Sequence, residues 1–149
     1  MKSYTDISQS KKLAEILPLE SADMWWNFYS VTTDNTTPLI IHIDTPWVGS
    51  FNWNNEPDNV PCWSLAALMN MLPSEFTEKG EYSETTYKID IRKYALTDDV
   101  DIYQIAYGNY HWHEDGSCSW SDMVNSGERE ELIDAVFQMV IWLKENNKL

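Results

Sequence analysis

The chain has 149 residues, enough for one domain with a real core, and 43% of them are apolar, which excludes a disordered chain. Ten Lys and Arg against 24 Asp and Glu give a net charge of −14, and acid dominates both halves: residues 1–75 hold 3 basic and 9 acidic groups, residues 76–149 hold 7 and 15. Such a surface repels phosphate backbones, so it argues against direct nucleic-acid binding and favours a protein partner with a basic surface.

In chain order, the opening Met1-Lys2-Ser3-Tyr4-Thr5-Asp6 lacks the apolar stretch of a signal peptide. No later run is long enough for a membrane span, and together these predict a cytoplasmic protein. Ser8–Leu17 is the first predicted helix. Asp6 or Ser8 can cap it, Leu13, Ile16 and Leu17 form its apolar stripe, and Pro18 stops it. Met24–Thr32 reads as a strand from its aromatic and β-branched content, with Leu39–Ile43 as its hairpin partner across an Asp34-Asn35 turn. Trp25 and Tyr29 on this strand suit either a core or an exposed aromatic patch. Asp44–Asn59 is irregular, punctuated by Pro46, Gly49 and Pro57. Within it Trp47, Phe51 and Trp53 either pin a loop to the core or form a binding surface, and Phe51-Asn52-Trp53 suits a short edge strand.

Val60–Pro73 is almost wholly apolar. Leu65, Leu68, Met69 and Leu72 fall at helical spacing, and Pro61 and Pro73 bound the segment. It is predicted to be a buried core helix. Ser74–Ser83 reads as a polar connector. Glu84–Arg92 is the clearest strand: Thr85, Tyr87, Ile89 and Ile91 alternate with Glu84, Thr86, Lys88, Asp90 and Arg92, one face to core and one to solvent. After a Thr97-Asp98-Asp99 turn, Val100–His113 is a long strand bulged near Gly108. Asp115-Gly116 signals a two-residue hairpin that would pair Glu114 with Ser117, His113 with Cys118 and His111 with Trp120. Glu128–Asn146 is the closing helix, with Glu128, Glu130 and Glu131 at its positive end and a broad stripe from Leu132 to Leu143.

This order predicts a single α+β domain over residues 1–149. It is a mainly antiparallel sheet of about five strands packed with three helices, in the order α-β-β-α-β-β-β-α. The second and last helices are expected to pack on the sheet and on each other. The endings Ile16-Leu17-Pro18-Leu19-Glu20 and Met71-Leu72-Pro73-Ser74-Glu75 echo each other and hint at a duplicated unit.

Candidate chemistry is sparse. Under the two-residue hairpin, His111, His113 and Cys118 share a face and offer three zinc ligands, or Cys118 and His113 form a Cys–His pair. Cys62 in an apolar helix is an inert thiol. No Gly-x-Ser-x-Gly elbow and no phosphate-cradling glycine loop occurs. Asp98-Asp99-Asp101 and Glu128-Glu130-Glu131 lack calcium-loop spacing. The residues therefore identify no catalytic site and call for no cofactor.

Three segments carry a resemblance. They are Ser10–Pro18 with Ser21-Ala22-Asp23-Met24, Pro61–Leu68 through Leu72-Pro73, and Ile133-Asp134-Ala135-Val136 with Met139 and Trp142-Leu143. Together they resemble a family of small uncharacterised proteins from phages and mobile elements of gut bacteria, of Bacteroidetes type. The resemblance covers about a third of the chain, in its apolar parts, and implies a mobile-element origin and an intracellular location without implying an activity.

The expected function is that of a non-enzymatic, strongly acidic accessory protein that binds another protein. Its sharpest form is inhibition of a host nucleic-acid-binding or defence protein by competition for a basic groove. The alternatives are a small metal-dependent hydrolase centred on His111, His113 and Cys118, and a structural or assembly protein of the element.

Overall fold

The computed structural model describes residues 2–26, 28–31, 39–42, 46–48, 59–97 and 99–149. The architecture is α+β with antiparallel sheets, as expected from the element order. The described residues form three α-helices and nine strands, more strands than the sequence pattern suggests. They fall into two compact units, Ser3–Ala67 and Met1–Lys2 with Leu68–Leu149.

In the first unit, α1 spans Ile7–Ala14. Asp6 caps it by accepting the Gln9 backbone N–H at 2.9 Å, and the Gln9 side chain accepts the Asp6 N–H at 3.1 Å, a reciprocal capping box. The helix ends before Pro18, which opens a short 3-10 turn at Leu19–Ser21. Strands β1 (Met24–Trp26), β2 (Phe28–Val31), β3 (Leu39–His42), β4 (Trp47–Val48) and β5 (Val60–Cys62) follow. The predicted hairpin of β2 with β3 forms, pairing Phe28 with His42 and Val31 with Leu39. Strand β1 is separate from β2 and lies between β4 and β5.

The Val60–Pro73 segment departs from its predicted single helix. Val60-Pro61-Cys62 is a strand paired with Trp26, Trp25 and Met24. Helix α2 is confined to Leu65–Met71. Ser64 supplies the reason. Its Oγ accepts the Ala67 N–H at 3.1 Å, while Asp23 accepts the Ser64 N–H at 2.8 Å and hydroxyl at 2.5 Å. A serine cap of this kind starts the helix after itself and leaves the residues before it extended. Leu68 is fully buried, but Ala66 and Asn70 are exposed, so the helix is buried along one side and not all round as expected.

Residues Ser3–Thr5 lie alongside Trp63–Leu65, with the Thr5 N–H on the Trp63 carbonyl and the Leu65 N–H on the Ser3 carbonyl. Around this seam Leu13, Leu17, Trp25, Trp26, Cys62 and Trp63 are buried, which settles Trp25 as core. The buried hydroxyls are satisfied in a chain: Thr5 Oγ1 and Ser10 Oγ are 2.7 Å apart, and Trp26 Nε1 donates to Ser10 Oγ at 3.2 Å. Cys62 Sγ donates to the Thr5 carbonyl at 3.4 Å, and burial pushes its thiol above the usual cysteine range. The thiol is buried as expected, but in a strand and not in a helix. The Asp34-Asn35 turn, Phe51-Asn52-Trp53 and Asp98 lie outside the described residues.

The second unit is built on a four-stranded antiparallel sheet, β6 (Glu75–Lys79), β7 (Glu84–Thr97), β8 (Val100–Trp112) and β9 (Cys118–Asn125), in that spatial order. Strand β6 lies in the predicted polar connector. Its alternation is real but weak, since Phe76 is its only large apolar residue. Phe76 packs within 5.5 Å of the Tyr87 ring, 5.0 Å of Tyr107 and 6.2 Å of Trp142. One aromatic thus joins β6, β7, β8 and helix α3 (Leu132–Glu145). The Tyr107 hydroxyl donates to the Pro73 carbonyl at 2.5 Å, and burial holds its phenol well above the usual tyrosine range.

Helix α3 begins after the three glutamates instead of containing them. Ser126 and Arg129 instead pair with β8 on either side of Gly127, whose φ of +70° turns the chain between them: Tyr103 and Arg129 exchange N–H···O bonds of 2.7 and 3.0 Å, and Ser126 bonds to both backbone groups of Ile105. Its buried residues, Ile133 to Leu143, match the predicted stripe. Element pairs with close packing include α3 with β8.

Phe76 is the test of this arrangement. Phe76→Ala removes the aromatic shared by three strands and α3, and is expected to destabilise the protein by about 2–4 kcal/mol in urea unfolding. A polar connector in that position would tolerate the change within about 0.5 kcal/mol.

Candidate interaction surface

The β8–β9 hairpin determines what the predicted site can be. The observed loop has three residues, not two. The Gly116 N–H bonds the His113 carbonyl and the His113 N–H bonds the Ser117 carbonyl. Gly116 has φ +80°, while Asp115 does not have the positive φ that a two-residue Asp-Gly turn requires. Instead the Asp115 carboxylate accepts the Ser117 N–H at 2.9 Å and hydroxyl at 2.6 Å, which holds it below the usual aspartate range.

The register is therefore shifted by one: Trp112 pairs with Cys118, His111 with Ser119 and Tyr110 with Trp120. This corrects the expected pairs. Successive residues of a strand point to opposite faces, so Cys118 is on the face opposite His111 and His113. His113 Nε2 lies 2.9 Å from Ser119 Oγ instead. The predicted zinc triad and Cys–His pair do not assemble, and among the described residues no group of three or more His, Cys, Asp and Glu side chains is arranged to hold a metal. Trp47 lies in β4, and Trp53 is outside the described residues.

The same shift gathers Tyr110, Trp112, Cys118 and Trp120 on one face, away from α3. The solvent-facing residues predicted for β7, Thr86, Lys88, Asp90 and Arg92, share it. Trp120 is held from several sides. Its ring lies over Gly108: a Cβ at that position would come within 2.7 Å of Trp120 Cε2. Only glycine allows so close an approach of an indole to the strand. The Trp120 Nε1–H donates to Asp122 Oδ1 at 2.6 Å, and the Tyr110 ring meets it edge-on at 5.0 Å and 77°. Arg92 clamps Asp122 with two bonds of 3.0 and 2.6 Å, and its guanidinium carbon lies 5.9 Å from the Trp120 ring centre. Arg92 also bonds Asp90 at 2.7 Å and Gln104 at 3.0 Å. These bonds raise the Arg92 pKa and depress that of Asp122, chiefly through the Arg92 hydrogen bond.

A bulge lies beside Gly108 but on the neighbouring strand: the β8–β9 register shifts between Tyr107 and Gly108 and leaves Met123 of β9, not a residue of the expected Val100–His113 strand, as the extra one. Beside it the sheet opens. The β7–β8 ladder runs from Thr97–Val100 to Lys88–Gly108 and stops there. Past that pair, Glu84–Tyr87 are joined to β6 and Asn109–Trp112 continue with β9. A groove of about 400 Å³ follows, lined by Glu84, Thr86 and Lys88 on one wall and by Asn109, Tyr110 and Trp120 on the other. Tyr110 is 60% exposed and Trp112 76%. Lys79 and Glu84 pair at 3.3 Å near its mouth. Sequence reasoning missed this surface, although the alternation of Tyr110 and Trp112 with Asn109, His111 and His113 was its signal.

Two outcomes test the platform. Gly108→Ala would bring its Cβ against the Ser121 carbonyl as well as the Trp120 ring, and is expected to displace β9 with Trp120, lowering stability by about 1–3 kcal/mol and red-shifting tryptophan emission; unchanged emission would contradict the seat. Because Asp122 is held below the ordinary aspartate value of 3.8, its pair with Arg92 is fully formed above that value and is lost as pH falls below it. The Trp120 indole N–H resonance should move in that acid range in the parent protein, and Asp122→Asn should abolish the transition.

Comparison with known proteins finds no matching family model, no matching curated protein and no matching solved structure.

Proposed function

We propose that this chain is a non-enzymatic, acidic interaction protein that binds another protein through the outer face of its four-stranded sheet. The exposed aromatic cluster beside the groove carries the reading. Tryptophan and tyrosine give large contact area with few torsions to immobilise, so they are over-represented where proteins bind each other. Trp120 is already fixed by Gly108, Asp122 and Tyr110 before any partner arrives. Preorganisation of this kind reduces the ordering cost of binding.

The charge of −14 supports a partner with a basic surface and disfavours direct nucleic-acid binding. Together with the resemblance of its apolar segments to proteins of phages and mobile elements, this supports an accessory protein. It would act in the cytoplasm and occupy the basic groove of a host nucleic-acid-binding or defence protein. Among the described residues no helix is long and apolar enough to cross a membrane.

Affinity capture from a bacterial host lysate, using the parent protein and Trp112→Ala in parallel, tests the reading. A basic protein retained by the parent at low salt, and reduced about tenfold or more by the substitution, is expected for an aromatic hot spot. An identical set of captured proteins in both arms would remove the sheet face as the binding surface.

A further inference from the structure

Antiparallel pairing directs both backbone groups of a residue to one side and those of its neighbour to the other. In β7 the Ile89 N–H bonds the Ser74 carbonyl and the Ser83 carbonyl accepts the Gly80 N–H, so odd-numbered residues face β6. Glu84, Thr86 and Lys88 therefore face β8. In β8 the Tyr103 N–H bonds Arg129 and the His113 N–H bonds Ser117, so odd-numbered residues face β9. Gly108, Tyr110 and Trp112 therefore face β7.

Lys88 and Gly108 satisfy each other as the last pair of the ladder. Beyond them, Glu84 and Thr86 on one wall of the groove, and Tyr110 and Trp112 on the other, aim N–H and C=O groups into it. Among the described residues these groups have no strand partner. The groove is thus a fork in the sheet with two unpaired edges, and unpaired strand edges pair with extended chains.

The charges at the open end of the fork indicate the sequence of such a chain. The β6–β7 turn contributes Glu81, the first residue of β7 is Glu84, and the β8–β9 turn contributes Glu114 and Asp115, all exposed. Lys79, bound to Glu84, is the cation on β6 at this end. Acid outnumbers base at the mouth, while within the groove the Tyr110–Trp120 pair offers an apolar surface and Lys88 marks the closed end, away from the carboxylates.

From this we infer that the fork between β7 and β8 accepts an extended, lysine- or arginine-bearing segment of a partner protein. The segment adds as a strand to the Tyr110–Trp112 edge of β8. Its alternate side chains lie on the Tyr110–Trp120 platform, and its cations meet Glu84, Glu81, Glu114 and Asp115. The inference rests on the protein-binding reading above and specifies the form of the partner.

The probe is an acetylated and amidated octapeptide of four Lys-Val repeats, added to the full chain. Amide hydrogen exchange is read residue by residue. In the free protein, Thr86, Tyr110 and Trp112 should exchange at least about tenfold faster than Tyr87, Asn109 and His111, whose N–H groups lie in ladders. The peptide should slow Tyr110 and Trp112 by about tenfold. The same peptide N-methylated on alternate residues keeps its charge and side chains but lacks half of its donors, and should bind at least about tenfold more weakly. A Glu-Val octapeptide should not bind. If the Lys-Val peptide fails to bind, or binds equally well when methylated and leaves Tyr110 and Trp112 unprotected, strand addition is overturned. Loss of lysate capture on Trp112→Ala would then still support the protein-binding reading, so the two failures are distinguishable.

Discussion

The backbone ladder between β7 and β8 ends at Lys88 and Gly108, and the character of the outer sheet face follows from that end point. On one side of the pair the two strands stay paired as far as Thr97 and Val100, with one register shift between Ala95 and Thr97. On the other they go to different partners, β7 to β6 and β8 to β9. Gly108 sits at the parting. It has no side chain, so Trp120 folds across it. The bulge beside it adds a residue to β9 and so supplies local twist. A sheet that parts while keeping its outer edges paired must leave backbone donors and acceptors facing the gap. Most proteins avoid that arrangement with bulges, charges or covering segments.

Electrostatics and packing on this face support each other. Arg92 holds Asp122, Asp122 holds the Trp120 indole N–H, and Trp120 supports Tyr110. Each link is partly screened by solvent, so no single ion pair contributes much stability. Their effect is positional, because they fix one ring plane and leave Tyr110 and Trp112 exposed beside it. Arg92, one of 10 basic residues in a chain with 24 acidic ones, is bound to both Asp90 and Asp122, and Lys79 pairs with Glu84. Arg92 and Lys79 are thus engaged in internal pairs, Lys88 stands at the closed end of the groove, and the exposed carboxylates of Glu81, Glu114 and Asp115 lie at its open end.

Much of this fold was legible in residue order, and the misreadings have identifiable physical causes. Asp6 and Pro18 bracket α1 because capping and proline sterics act locally. The alternation of Glu84–Arg92 located β7, and Gly108 marked where the bulge lies but not that β9 carries it. Val60–Pro73 was misread because apolar content alone cannot separate a buried strand from a buried helix. Ser64, a residue inside that apolar run, is the helix cap. Strand β6 was hidden because its stabilising contacts are tertiary, gathered by Phe76 from Tyr87, Tyr107 and Trp142. The candidate metal site depended on a two-residue Asp-Gly turn. Gly116 took the left-handed position in a three-residue loop instead, and a one-residue shift moved Cys118 to the other face. That shift also created the aromatic surface, since it brought Tyr110 opposite Trp120.

The central claim is that β7 and β8 part beyond Lys88 and Gly108, and cross-strand Hα–Hα nuclear Overhauser effects measure it directly. In an antiparallel ladder the close Hα pairs are those without mutual hydrogen bonds, here Ile89 with Tyr107 and Ile91 with Ile105. The account predicts strong effects for both pairs and none between Tyr87 and Asn109 or Thr85 and His111, the next two positions along. Strong effects continuing through Thr85 and His111 would show an unbroken sheet and contradict it.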